Sequence, residues 1–319
     1  MPRMMRNLLF ALGCATFAGL AGAQTFPAKP ITIICPFPPG ASADAALRSL
    51  AQAMAKELGQ NVIVDNRPGA AGTLGPASLA SAQPNGYTLS LVTNTLIRQP
   101  FIVKTPYDPA KDFTYLAGVS AFDFGLVVDT SSPWKTFDEF VGYAQKNPGK
   151  ISFGTIGIGS APHQVLQRFG DGKGIVWTHI PYKGSAPALT DLQGGHVQAV
   201  SDTSSWAQLV DSGKLRLLAV YSSARLKHWP NVATLKEMGS DIVESSPWGI
   251  VGPKGLDPKV AKTLQDSIRK AMDDPGFLKT LDSLGMEPRY MASEEYDKYM
   301  QARIPIEKAV VEKYHLKEQ

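Results

Sequence analysis

Short β-branched runs alternate along the chain with longer stretches in which apolar positions recur every three or four residues. Ile31 to Cys35 predicts a buried strand. From Asp44 onward Leu47, Leu50, Ala51, Met54 and Leu58 fall on one helical face, and Gly59 stops the pattern. Val62 to Val64 predicts a strand. The stretch NRPGAAGTLG (Asn66 to Gly75) predicts a glycine loop leading into a short helix, Pro76 to Ala82. After the turn Pro84-Asn85-Gly86, Tyr87 to Thr93 predicts a strand that ends in polar Asn94 and Thr95. Leu126 to Val128 follows as a strand and Phe137 to Gln145 as a helix.

The same kind of unit then returns. Ile151 to Phe153 predicts a strand, GTIGIGSAPH (Gly154 to His163) a glycine-rich loop, and Gln164 onward a helix. Strands are predicted at Val176 to Ile180, Val197 to Ser201 and Leu215 to Val220, with a helix at Ala186 to Gln193. The tail predicts two helices, Pro258 to Met272 and Ser293 to Lys313. This alternation indicates an α/β architecture with mostly parallel sheets. Two glycine loops, near residues 40 and 157, each follow a strand and precede a helix. Ligands of open α/β sheets bind outside the carboxyl ends of strands, so two such loops point to one cleft lined from both sides.

The first residues add a different signal. Arg3 and Arg6 precede the mostly apolar run Leu8 to Leu20, and Ala21-Gly22-Ala23 forms a small-residue cleavage site. This is the pattern of a secretory signal peptide (residues 1–23), with cleavage expected after Ala23 and a periplasmic destination. A lipoprotein signal centred on Cys14 fits less well, because Ala11-Leu12-Gly13-Cys14 lacks the usual leucine and the apolar run continues past it. Beyond the signal, Cys35 is the one cysteine, so no disulfide within the mature chain is expected, and its strand position marks a core thiol. Arg3 and Arg6 leave with the signal, so 30 basic residues face 28 acidic ones. A near-neutral chain argues against nucleic acid or an anionic membrane as partner.

Motifs of phosphate, nucleotide and metal chemistry are missing. No glycine has the spacing to Lys and Ser/Thr of a P-loop. Gly157 and Gly159 begin a G-x-G-x-x-G pattern, but its third glycine position is Pro162. Ser160 lacks the G-x-S-x-G frame, and the mature histidines are scattered. No cofactor or metal is expected. What remains is backbone: helix-start N–H groups have no intrahelical partner, and a glycine loop lets an anion approach them. Pro38 and Pro39 stiffen the first loop, Gly40 turns it, and Ser42 is a candidate N-cap. Ser160 is the candidate N-cap of the second, with Pro162 in the first turn. Asp44 either braces the first loop or meets a donor on the ligand. His163 is either a brace or a contact, and Lys183 reads as a solvated charge.

The segments FPAKPITIICPFPPGASAD, NRPGAAGTLG, PNGYTL, YDPAKDF, NPGKISFGTIGIGSAPH, HIPYKGSAPALTDLQGGHVQAVSD, SGKLRLLAV and GPKGLDPKV stand in order between Phe26 and Val260. Together they resemble the extracytoplasmic solute receptors of tripartite tricarboxylate transporters, the Bug (TctC-like) family. The resemblance implies a type II periplasmic binding protein fold, two α/β domains joined by a hinge around a central cleft. It implies domain 1 from residues 24–125 plus 247–319 and an inserted domain 2 from residues 126–246. A ligand carboxylate would then be held by Phe37, Gly40, Ala41 and Ser42 on one side. Thr155, Gly157, Gly159, Ser160, Ala161 and His163 would hold it on the other, with Asp202, Asn94 and Thr95 as further cleft candidates. Gly40-Ala41 departs from the family's Gly-Gly pair, so residue 41 is expected at negative φ. Phe37, Phe122, Trp206 and Trp248 either wall the pocket or belong to the core.

The function this implies is capture of a small organic carboxylate (a di- or tricarboxylate, amino acid or aromatic acid) and delivery to inner-membrane transporter subunits, by a monomer that is not an enzyme. Two alternatives stand beside it: an exported hydrolase using His163 with Ser160 or Asp202, and a ligand sensor for a membrane signalling protein.

Overall fold

A computed structural model of the chain describes residues 26–314 and residue 316. The signal peptide and Cys14 lie outside the described residues. The elements run β1 (Ile31–Cys35), α1 (Ser42–Leu58), β2 (Val62–Asn66), α2 (Leu74–Ala77), β3 (Thr88–Thr93), α3 (Thr95–Arg98), β4 (Phe113–Asp129), α4 (Phe137–Lys146), β5 (Ser152–Thr155) and α5 (Ala161–Lys173). They continue with β6 (Thr178–Pro181), α6 (Ser185–Gln193), β7 (Ala199–Thr203), α7 (Ala207–Asp211), β8 (Leu215–Val220), β9 (Ser245–Pro253), α8 (Pro258–Ala271), α9 (Pro275–Ser283), β10 (Pro288–Met291) and α10 (Ser293–Lys313).

The strands follow the order β2-β1-β3-β9-β4-β7-β5-β6, with β8 and β10 also on β4. Parallel pairing holds for β1 with β2 and β3, and for β5 with β6 and β7. Every pair that involves β4 or β9 is antiparallel. The sheet is therefore mixed, which corrects the expectation of mostly parallel strands. The error came from β4. Only Leu126 to Val128 stood out in the sequence, because Gly118, Ser120, Asp123 and Gly125 interrupt the apolar run. The strand is in fact 17 residues long and buried almost throughout. From Phe113 to Asp123 it pairs with β9, from Phe124 to Val127 with β7, and from Gly125 to Asp129 with β8.

A second correction concerns the tail, which holds three helices and not two. The added helix is α9, which Asp273-Asp274-Pro275-Gly276 leads into. Asp274 caps α9, accepting from the N–H groups of Gly276 (2.9 Å) and Phe277 (3.1 Å), and Pro275 occupies the first turn. The same device starts α8, where Asp257 accepts from Lys259 N–H at 2.8 Å.

α1 buries Leu47, Leu50 and Met54 completely, and it packs against α8 and α9. Each such side chain contributes roughly 1.5–3 kcal/mol. Cys35 is 0 % exposed in this core, and burial pushes its thiol up to about 12. Trp206 packs on Trp229 (ring centroids 4.8 Å apart) in a separate cluster with Val200, Leu217 and Val220, so it belongs to the core.

Gly249 of β9 sits where a Cβ would lie 2.2 Å from the Ala117 carbonyl oxygen and 2.6 Å from the Tyr296 ring. Backbone cannot yield as a flexible side chain can. Gly249→Ala is expected to destabilise the protein by roughly 1–3 kcal/mol or more, read as a lower urea midpoint. An unchanged midpoint would show that β4 and β9 are free to separate here.

Candidate ligand-binding site

The first loop is set by a buried carboxylate. Gly40 turns the chain at φ +82 and Ala41 follows at φ −67 and ψ 156, the negative φ expected for it. Asp44 accepts from Gly40 N–H at 3.0 Å, from Arg48 Nε at 3.0 Å and from Asn66 Nδ2 at 2.8 Å. Asn66 Nδ2 also donates to the Phe37 carbonyl at 3.0 Å. Asp44 thus braces the loop from within. Burial alone would raise its pKa, but the donors from Arg48, Asn66 and Gly40 outweigh burial and hold it below the usual carboxylate value.

Ser42 does not cap the helix as the sequence predicts: Ala41 is the N-cap residue. Ser42 N–H donates to Ser205 Oγ at 3.1 Å, and its hydroxyl lies 3.0 Å from Thr203 Oγ1. The residues that follow β7 therefore meet the start of α1. The next amides of α1, at Ala43 and Asp44, have no intrahelical acceptor.

In the second loop Gly157 and Gly159 take φ +130 and +74. Ser160 stands at the N-cap position of α5, with Pro162 in the first turn, but its hydroxyl donates backward to the Gly157 carbonyl at 2.7 Å. Gly159 N–H donates to His163 Nδ1 at 3.1 Å, so His163 is a brace. Its ring stacks on His179 at 4.0 Å, and His179 Nε2 lies 2.7 Å from Thr155 Oγ1. Burial first, then the Arg98 charge, lowers His163 to about 4; burial, then His163, lowers His179 to about 3. Ser160 Oγ is turned to the Gly157 carbonyl and His163 Nδ1 to the Gly159 N–H, and no hydrogen bond joins the two side chains among the described residues.

Two cavities lie between the loops. The larger, about 240 Å³, is bounded by Phe37, Gly69 to Gly72, Gln99, Ile102, Gly157 and Tyr182 to Gly184 among others. The smaller, about 20 Å³, holds about one water and includes Phe37, Thr95, Phe122, Ala161 and Thr203 in its wall. Of the predicted residues, then, Phe37 and Gly157 line the larger cavity, and Phe37, Thr95 and Ala161 the smaller. Gly40, Ala41, Ser42, Thr155, Gly159, Ser160 and His163 shape the two loops without lining either. Asn94 is turned away, donating to the Tyr299 hydroxyl at 3.1 Å. Asp202 is fully buried; Oδ1 accepts from Thr203 N–H at 2.7 Å and Oδ2 has no partner. Burial pushes it up to about 7, against the pull of Ser185 and Thr203. Trp248 is core, stacked on Phe122 at 5.8 Å.

The sequence reading missed several contributors. Asn66 to Gly75 was legible as a glycine loop, but nothing marked it as a cavity wall. Ala70 and Ala71 there adopt φ +47 and +52, a left-handed conformation that disfavours alanine by roughly 1–2 kcal/mol each. Lys183 stands at the mouth of the larger cavity. Arg98, 0 % exposed, donates to the Gly159 carbonyl at 3.0 Å and to Glu307 at 2.6 Å.

Two glycine-turned loops, each opening a helix, thus border one cavity. The sequence model described as "Tripartite tricarboxylate transporter family receptor", TctC, matches residues 46–316. The chain belongs to this family of periplasmic solute-binding receptors. It is 42 % identical over 306 residues to a UPF0065 protein encoded in the gbd 5′ region of Cupriavidus necator, covering 96 % of this chain and 94 % of that one. The periplasmic binding protein BugD superposes with a TM-score of 0.88 at 30 % identity, over 92 % of this chain and all of BugD. An R. palustris protein with adipate has a TM-score of 0.86 at 26 % identity, covering 91 % of this chain and 98 % of that one. MatC from Rhodopseudomonas palustris with bound malate has a TM-score of 0.83 at 26 % identity, covering 90 % and 100 %. The expected periplasmic binding protein fold and family are thus both borne out, and no helix among the described residues is long and apolar enough to cross a membrane.

The two histidines make a pH prediction. Their folded pKa values, about 4 and 3, lie below the ordinary 6.5. Below pH 6.5 the unfolded chain therefore binds protons that the folded chain refuses, so stability is full above 6.5 and falls as pH drops toward 4. Urea unfolding across this window should show the slope, and His179→Gln should flatten it. An equal slope in that variant would mean that His179 is not held neutral.

Proposed function

We propose that the chain captures a small organic carboxylate in a cleft between two lobes and delivers it to the membrane subunits of a tripartite transporter. The observation that carries this reading is the apposition of two glycine-turned loops, each opening a helix, across the cavity of about 240 Å³. Such helix starts offer backbone N–H groups and partial positive charge. Adipate and malate in the two R. palustris neighbours support a dicarboxylate as ligand. The family's name supports the transporter as partner.

The lobes in this reading are residues 24–125 with 247–319, and residues 126–246. The exchange of partners along β4, between Asp123 and Phe124, supports that division. Ligand then favours a closed arrangement by touching both loops at once. Phe37, Gly40, Ala41, Ser42 and Thr95 serve from one lobe, and Thr155, Gly157, Gly159, Ser160, Ala161 and His163 from the other. The larger share of the hold falls to backbone donors, with Lys183 adding an exposed charge at the mouth.

A thermal-shift screen over a carboxylate library, malate and adipate included, identifies the ligand through its stabilisation of the folded state. Calorimetry then separates backbone from side chain. A Cβ at Gly159 would lie 2.2 Å from Ile102 Cδ1 and would force the loop from φ +74, so Gly159→Val is expected to abolish binding. Ser160→Ala should weaken binding modestly. Lys183→Met, which removes an exposed charge, should cost about tenfold at most. Gly159→Val binding as tightly as the unaltered chain would sink the loop assignment.

A further inference from the structure

A cavity of about 620 Å³ lies outside the cleft. It lies on the other side of β4. Phe122 and Phe124 both face the small chamber between the loops, and Asp123 between them lines the large cavity instead. Alternation along a strand explains the arrangement. The remaining walls come from Ser222 to His228, which follow β8, and from the stretch between α9 and β10.

Asp123 is an unusual floor. It is 4 % exposed, and its Oδ1 is buried with no hydrogen-bond partner. The basic groups around it are mostly engaged elsewhere. Arg225 pairs with Glu237 at 2.9 Å, Lys227 with Glu287 at 2.5 Å, and His228 with Asp211 at 3.2 Å. Arg289 reaches only the Ser245 hydroxyl, at 3.4 Å. A carboxylate taken out of water without donors is strongly penalised unless a cation or donor reaches it. No group of three or more metal-ligating side chains occurs among the described residues, which argues for an organic cation rather than a divalent metal. Ala224, Leu226, Leu278, Met286 and Pro288 supply apolar wall for its carbon skeleton.

We propose that this rear cavity is a second binding site, which takes a small primary ammonium ion on Asp123. Because β4 carries Phe122 and Phe124 on the cleft side and Asp123 on the rear side, occupancy of the two sites is linked, and the linkage is reciprocal. That coupling rests on the receptor reading above; the site itself does not.

Burial raises Asp123 to about 6, with Arg289 pulling it down and Glu287 pushing it up. Asp282, Arg225, Lys227 and His228 complete the charged surroundings. Ammonium binding needs the ionised form, so affinity should fall as pH drops through about 6. A raised carboxyl pKa also means that ionised Asp123 opposes folding at higher pH, so Asp123→Asn should fold at least as stably as the unaltered chain.

Methylammonium is the probe, with tetramethylammonium and sodium chloride at matched ionic strength as controls. Thermal shift and calorimetry near neutral pH should show saturable binding of methylammonium alone. Asp123→Asn should weaken it by roughly tenfold or more. Arg289→Gln, which removes a competing cation, should tighten it. Gly159→Val should leave it intact, so loss of the cleft and loss of the rear site are told apart. No saturable effect, an equal effect in Asp123→Asn, or an equal effect of tetramethylammonium would each overturn the proposal.

Discussion

A strand of 17 residues buried along nearly its whole length must find a partner for every backbone N–H and C=O. β4 meets that demand by pairing with β9 over its first part and with β7 and β8 over its last, so one continuous element belongs to two pieces of sheet. The walls of two cavities meet at the exchange point. Phe122 and Phe124 flank it on the cleft side, Asp123 marks it on the other, and Ser246 of β9 reaches the same small chamber. Gly249, pressed against the Ala117 carbonyl, shows how little room β9 has to slide along β4. A bend in the chain here must be absorbed by torsion of paired strands.

In the proposed reading, an anion held without a dedicated basic side chain needs donors fixed in advance, because backbone N–H groups are individually weak and cannot swing toward a ligand as lysine does. In the first loop the fixing agent is itself an anion. Asp44 takes the Gly40 amide and the Asn66 side chain, and Arg48 balances its charge. The field of Asp44 at the loop is thereby reduced, since its oxygens accept from Gly40, Asn66 and Arg48 and its charge is paired. In the second loop neutral groups do the same work. His163 stays unprotonated by burial and accepts the Gly159 amide, and Ser160 turns its hydroxyl back onto Gly157. The two loops arrive at similar rigidity by opposite electrostatics.

Local chemistry was the legible part of this sequence. Gly40, Gly157 and Gly159 announced their turns, Pro162 announced a helix start, and the helical face of Leu47, Leu50 and Met54 announced a buried stripe. Ordered motifs carried the family. What stayed hidden depends on long-range pairing. β4 shows no clean alternation because it is buried on both faces, and α9 hides behind a proline and glycine that look like a turn. Ser42 looked like a cap because serine usually caps; only the fold brings Thr203 and Ser205 to it, across 161 and 163 positions of sequence. Asn66 and Arg48 carried no signal at all, since their roles exist only once β2 lies beside the loop.

Arg98 shows most plainly why the site could not be read from its loops alone. It leaves the short helix after Asn94 and Thr95, and its guanidinium is fully buried between Glu307 of α10 and the Gly159 carbonyl. Burial would raise the Glu307 pKa, yet Arg98 and Arg303 together hold it below the ordinary value. A buried ion pair of this kind gains little net stability over apolar packing, because desolvation offsets its attraction. Its value is positional. A charge that cannot move without losing its partner pins the Gly159 peptide, and with it the start of α5, to a helix from the far end of the chain. The C-terminal helix, which contributes no residue to either cavity between the loops, thus helps to fix the second glycine loop.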